Sequence, residues 1–220
     1  MIRKANPLDV YLLRHAEAYK NLAKVHGGGD QRLTPTGERQ ARTLGGYLLR
    51  LRGGAEGLQI IHQPEGRSAA TASHIGLVAA RGTVEVPDLV GVRLGVAGGL
   101  SEKELAERYP EVAAALTTWR TNKGDLSARP RVPGSEPMEE FAERIRRGFV
   151  SSIEACEPDQ ALAVVGTTST LNMMNHLLVH DGEFDRASYD FIEFPLGALA
   201  AWRVSTEPPL QTLPITTPTA

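Results

Sequence analysis

The sequence predicts an α/β fold, with a mostly parallel core sheet and helices on both faces. Three observations carry this reading. Short apolar runs recur at Asp9–Leu13 (DVYLL), Leu58–Ile61 (LQII) and Ala161–Val165 (ALAVV), as strands buried on both faces require. Each run is followed by a stretch with helical spacing, and strands alternating with helices imply a parallel sheet covered on both sides. The length, 220 residues, suits a single domain that can bury a core without disulfides or metals.

The elements follow in order. Asp9–Leu13 is the first buried strand. Thr34–Arg52 is a helix: Thr34 is the N-cap, Pro35 suits the first helical position, and Ala41, Leu44, Leu48 and Leu51 form its apolar stripe. Gly53-Gly54 ends it. Leu58–Ile61 is the second strand, and Arg67–Ala80 an Ala-rich helix. Gly82–Val90 reads as extended, with Pro87 placing it at a sheet edge or a strand end. Ser101 and Glu104 form a capping box that opens another helix. Glu136–Glu157 is a helix with Phe141, Ile145 and Phe149 on one stripe. Ala161–Val165 is a buried strand and Leu171–Val179 an apolar helix, while Tyr189–Phe194 and Ala198–Val204 close the sheet. Residues 1–205 are expected to form the domain. Residues 206–220, rich in Pro and Thr, read as a loose or draped tail.

Composition excludes some functions. The formal net charge of -2 offers no electrostatic case for nucleic acid or a membrane surface. Cys156 is the sole cysteine, so no internal disulfide forms, which fits the reducing cytoplasm. Val10–Leu13 is too short for a signal-peptide core. No run approaches the roughly 20 apolar residues of a membrane span. Oligomeric state is not legible.

In open α/β sheets, ligands bind beyond the carboxyl ends of the strands. Three segments sit there: Arg14-His15, His62 through Arg67, and Gly166 through Thr170. An Arg beside a His at a strand end makes a good anion site. The bland alternative for an isolated pair is a surface Arg and a partly buried His. Here the pair belongs to a longer pattern. Arg14-His15-Ala16-Glu17 is followed by Asn21, then by Asp30-Gln31-Arg32-Leu33-Thr34-Pro35-Thr36-Gly37-Glu38-Arg39-Gln40-Ala41, and later by Gly66-Arg67-Ser68-Ala69-Ala70-Thr71-Ala72.

RHxE with a following Asn, then DxxLTxxGxxQA, resembles the opening of histidine phosphatases, the phosphoglycerate-mutase-like proteins. The Arg67 segment resembles that family's second phosphate-binding motif. The resemblance runs from about Val10 to about Trp202 and is strongest in the first third. It implies a histidine-phosphatase-like fold and a phosphohistidine formed at His15. It further implies Arg14 and Arg67 on the phosphate oxygens and Asn21 as one more donor, with no metal and no cofactor. The implied partner is a small phosphorylated or anionic substrate. Residues 103–133 correspond to the family's variable insert over the pocket. A substrate role for Arg120 or Lys123 in this insert is a weak expectation.

Two positions depart from the pattern. Gly91 stands where the family carries its acidic Glu, and Thr167 where it carries a second His. Gly has no proton to give, and a Thr hydroxyl carries no charge. His176 lies nine residues past Thr167, about 13 Å along a helix at about 1.5 Å per residue, so it points away from the site. His26, next to Gly27 in the loop bordering the substrate, is one candidate to fill in. Glu65 is another, although a surface carboxylate paired with Arg67 is the slightly preferred reading. Glu102 reads as helix-start charge. Thr167 and Thr168 open a helix, either as caps or as hydroxyls of an anion cup. Cys156 reads as an inert thiol.

The preferred function is a phosphatase-like hydrolase with an atypical pocket, ahead of a mutase, which must hold and return its phosphoryl group. The alternative is a repurposed pocket that binds an anion and does other chemistry or none. A purely structural domain has no need of His15 and two Arg residues at strand ends.

Overall fold

The computed structural model describes residues 7–121, 129–189, 191–204 and 211–216. The strands are β1 (Leu8–Arg14), β2 (Leu58–His62), β3 (Thr83–Glu85), β4 (Ala161–Gly166), β5 (Leu199–Val204) and β6 (Gln211–Thr216). The helices are α1 (Tyr19–Leu22), α2 (Pro35–Arg52), α3 (Gly66–Ala79), α4 (Glu102–Arg108), α5 (Pro110–Thr121), α6 (Met138–Ala155) and α7 (Thr168–Val179). The sheet order is β3-β2-β4-β1-β5-β6. β3, β2, β4 and β1 pair in parallel, and β5 runs antiparallel to β1.

The central strands bury both faces, and their side chains alternate between two cores. Tyr11 and Leu13 of β1, with Ala163 and Val165 of β4, pack against Leu44, Leu48, Ala72 and Ile75 of α2 and α3. Val10 and Leu12, with Leu162 and Val164, pack against Phe141, Ile145 and Phe149 of α6 and Met173 and Leu177 of α7. Helices therefore cover both faces, as the strand–helix alternation predicts.

Local chemistry sets the helix ends. Thr34 Oγ1 accepts the Gly37 N–H at 2.9 Å, Pro35 occupies the first turn, and Gly53 closes α2 in the left-handed region at φ 78°. Ser101 and Glu104 cap α4 reciprocally.

Three expectations change. The extended segment from Gly82 is a strand only over Thr83–Glu85, at the sheet edge. Pro87 has no N–H for the ladder, and the chain turns into a 3₁₀ helix over Pro87–Leu89. Of the strand expected over Tyr189–Phe194, residue 190 lies outside the described residues, and 189 and 191–194 form no strand. The Asn172 side chain donates to Ile192 O at 2.8 Å and accepts its N–H, taking the backbone groups a neighbouring strand would use. Finally, 211–216 is not loose, because it pairs antiparallel with β5. The open edge of β5 supplies unpaired backbone groups, and Pro214 lies on the outermost strand, where a missing N–H is tolerated. The rest of the expected tail, 206–210 and 217–220, lies outside the described residues.

Candidate active site

Parallel pairing brings three strand ends together. Arg14 stands in register with Gly166, and His62 with Val165. The next residues of each strand, His15, Gln63 and Thr167, thus share one end of the sheet. His15 N–H donates to Gly166 O at 3.1 Å, and Gln63 Oε1 accepts the Thr167 N–H at 2.8 Å.

His15 is 3% exposed. Its Nδ1 lies 2.8 Å from Ala16 O, and Arg67 Nε donates to its Nε2 at 3.0 Å. A carbonyl can only accept and a guanidinium N–H can only donate. The ring is therefore the neutral Nδ1–H tautomer, with its lone pair on Nε2. Burial, then the nearby Arg67 charge, hold the imidazole well below its usual range.

Arg67, 5% exposed, also donates through a terminal nitrogen to Gln31 Oε1. Gln31 Nε2 in turn donates to Gly28 O at 2.9 Å, tying the glycine-rich loop to the site. Arg14 donates to Phe194 O, while its Nε is buried without a partner among the described residues.

A third cation joins them. Lys20 on α1 is 9% exposed. Its ammonium pKa falls to about 8, through burial and then the charges of Arg67 and Arg14. A buried Lys beside two Arg residues, with Glu65 as the carboxylate whose charge reaches it, leaves an excess of positive charge that suits an anion. The sequence reading passed over Lys20 and Gln31. The available signal was their position inside the motif segments, Lys20 immediately before Asn21.

Other expected residues have structural tasks. Asn21 Oδ1 accepts the Ala18 N–H at 2.9 Å, so its amide caps α1. Glu17 holds the first two motifs together. It accepts the Thr34 hydroxyl at 2.6 Å, its carbonyl accepts the Thr34 N–H at 3.1 Å, and its N–H donates to Gln40 Oε1 at 3.0 Å. A Cβ at Gly37 would lie 1.9 Å from Glu17 O, so only glycine permits this approach.

His26 and Gly27 lie on the loop that packs against the 94–101 turn, with His26 N–H donating to Leu100 O at 2.9 Å. Helices α4 and α5 pack on that turn through Leu105, Val112 and Leu116. Lys123 and the Arg120 side chain lie outside the described residues.

Thr167 starts α7, but its hydroxyl makes no cap. Instead it meets Ser169 and Thr170 hydroxyls, each at 3.3 Å. Thr168 gives its carbonyl to Asn172 Nδ2 at 2.9 Å. Among carboxylates near Gly91, Asp88 is engaged by Arg147 at 2.7 Å on the surface. Glu65 is not paired with Arg67 in the preferred sense: its Oε1 accepts the Gly91 N–H at 2.7 Å. His176 accepts the Asp185 N–H at 3.1 Å among aromatic rings, away from the strand ends.

The family model of the histidine phosphatase superfamily (branch 1) matches residues 10–190. This chain belongs to the histidine phosphatase superfamily. It is 31% identical over 159 residues, 71% of its length, to the probable phosphoglycerate mutase GpmB of Serratia proteamaculans, covering 68% of that protein. It is 30% identical over 199 residues, 87% of its length, to the bifunctional protein Rv2228c of Mycobacterium tuberculosis, of which it spans 51%. A mycobacterial glucosyl-3-phosphoglycerate phosphatase complexed with VO3 superposes with TM-score 0.70 at 20% identity, over 90% of this chain and 91% of that one. The alpha-ribazole phosphatase of Shigella flexneri gives TM-score 0.70 at 18% identity, over 90% and 92%. At these identities the two structures show the fold alone. No helix among the described residues is long and apolar enough to cross a membrane.

Proposed function

We propose that this histidine phosphatase hydrolyses a small phosphorylated metabolite through a phosphohistidine at His15. The observation that supports it most is the neutral His15 ring, its Nε2 lone pair held by Arg67, with the charges of Arg14 and Lys20 also acting on the ring. In this reading the phosphate oxygens draw the Arg67 guanidinium away from Nε2 and take the orphaned Arg14 Nε–H. The freed Nε2 attacks phosphorus in line, and the Nδ1–H···O bond to Ala16 keeps the ring oriented. In this reading the positive charge around the phosphoryl group is supplied by Arg14, Arg67 and Lys20.

Hydrolysis is preferred to mutase chemistry. The uncharged hydroxyl of Thr167 replaces the second His of the family pattern, which weakens retention of a phosphoryl group between half-reactions. Relatives with both kinds of name exist. The single buried thiol Cys156 accords with a cytoplasmic location.

The test is hydrolysis of p-nitrophenyl phosphate, with chelator present, by wild type and His15→Ala. Its leaving group is a weak base, so the assay reads the nucleophile. Turnover by wild type and its loss in His15→Ala are expected. If neither protein turns over while sulfate still binds, the pocket is a repurposed anion site.

A further inference from the structure

Position 91 has no side chain, yet the volume beside it is not empty. An ideal Cβ at Gly91 would lie 2.8 Å from Glu65 Oε1 and 3.4 Å from Thr167 Oγ1. The Glu65 carboxylate therefore fills the space that a residue at 91 would use, reaching it from the loop between β2 and α3. A side chain at 91 would require the Glu65 carboxylate to move aside.

Glu65 is the N-cap residue of α3, but its side chain does not cap that helix. It turns across the gap instead. Oε1 is anchored on the Gly91 N–H, while Oε2 is buried and has no partner among the described residues. A buried carboxylate oxygen without a partner is unfavourable. That cost is hard to explain by packing and easy to explain by chemistry.

The segment that presents Gly91 is held firmly. Arg144 donates to Asp88 O and Val90 O, both at 2.7 Å, and is paired at 2.7 Å with the buried Glu136. Glu136 also accepts the Arg93 N–H at 3.3 Å. The charge of Glu65 acts on both Arg67 and Lys20, which places it beside the cations of the pocket.

Building on the hydrolase reading, we infer that Glu65 is the general acid and base of the reaction, moved from position 91 to position 65. His15 Nε2 forms a bond to phosphorus as the ester P–O bond breaks, and that electron pair goes to the leaving oxygen. Glu65 Oε2 gives this oxygen its proton, releasing an alcohol and leaving a carboxylate. The carboxylate then takes a proton from water as the water oxygen bonds to phosphorus. The P–N pair returns to Nε2, inorganic phosphate leaves, and Glu65 is again protonated.

The decisive variant is Glu65→Gln. Gln Oε1 still accepts the Gly91 N–H, so the fold contact survives while the proton carrier is lost. The ratio kcat/KM, which reads phosphoryl transfer to His15 and not the later attack of water, is compared on p-nitrophenyl phosphate and on glycerol 2-phosphate, whose alkoxide leaving group needs a proton. Glu65→Gln should slow glycerol 2-phosphate by about 10²–10⁴-fold, and p-nitrophenyl phosphate by far less. Equal slowing of both, or of neither, overturns the inference and leaves the hydrolase reading standing. A wild type inert on both substrates overturns the two together. The double variant Glu65→Ala, Gly91→Glu should exceed Glu65→Ala on glycerol 2-phosphate by at least about ten-fold, a small share of the value of general acid catalysis. No gain would mean that the leaving oxygen does not sit beside position 91, and the inference would fall.

Discussion

Arg67 Nε stands 3.0 Å from His15 Nε2 and directs its N–H at the lone pair that would attack phosphorus. A cation in that place opposes a proton on the same nitrogen. The ring is thus kept in the form a nucleophile needs, and the same guanidinium is the group a phosphate would recruit.

His15 should therefore stay neutral where an ordinary histidine is charged. At pH 6, ring ¹⁵N NMR should show the Nδ1–H tautomer, and a midpoint near 6.5 would refute it. The unfolded chain binds a proton at this residue as pH falls through about 6.5, and the folded chain does not. Stability is thereby lost toward acid at up to about 1.4 kcal/mol per pH unit. Urea unfolding of His15→Asn should show less of this loss between pH 6.5 and 5.

Lys20 gives a second pH dependence, of opposite direction. Its ammonium, with a pKa of about 8, is charged below that pH and neutral above it. Sulfate is a dianion throughout, so its binding reports the protein alone. Affinity should fall between pH 7 and 9 in wild type, and be weak and flat in Lys20→Met. Burying this charge is unfavourable, so Lys20→Met should raise the unfolding free energy at pH 7. A Lys20→Met variant that binds sulfate as wild type does would remove Lys20 from the site.

The clamp between the first two motifs should separate two kinds of cost. Thr34→Ala loses an N-cap and the hydroxyl bond to Glu17, and should cost about 1–2 kcal/mol. Gly37→Ala would drive a Cβ to 1.9 Å from Glu17 O and must displace backbone. It should cost more than Thr34→Ala, about 3 kcal/mol or above by analogy with severe overpacking. Equal costs in urea titrations would show that the contact relaxes freely.

The buried pair Arg144–Glu136 supports the Gly91 segment. Glu136→Ala leaves the guanidinium without its charge partner and should cost about 3–5 kcal/mol, and replacing both partners with Leu should not recover this, because it orphans Asp88 O, Val90 O and the Arg93 N–H. A Glu136→Ala variant of near wild-type stability would mean that the pair is solvated. Differential scanning calorimetry reads both variants.

Much of the fold was legible because it rests on period and on neighbours in the chain. The runs DVYLL, LQII and ALAVV announce strands buried on both sides, and Thr34 with Gly53-Gly54 brackets a helix by local hydrogen bonding. Tyr189–Phe194 misled because an apolar stretch does not reveal that Asn172 will satisfy its backbone. The 211–216 segment misled because composition cannot show that β5 has an open edge for it to join.

The site divides along the same line. By itself the sequence located Arg14, His15 and Arg67 as candidates at the end of a buried strand and the first turn of a helix, positions that pattern and motif find, and the fold brings His15 and Arg67 together. Only the tertiary structure decided where Glu65 points. Its carboxylate meets a backbone N–H 26 residues away, across a gap created by the absence of a side chain at Gly91. Spacing along a chain states which face a residue occupies. It does not state which way a side chain turns at a strand end, because that depends on the volume other strands leave open there.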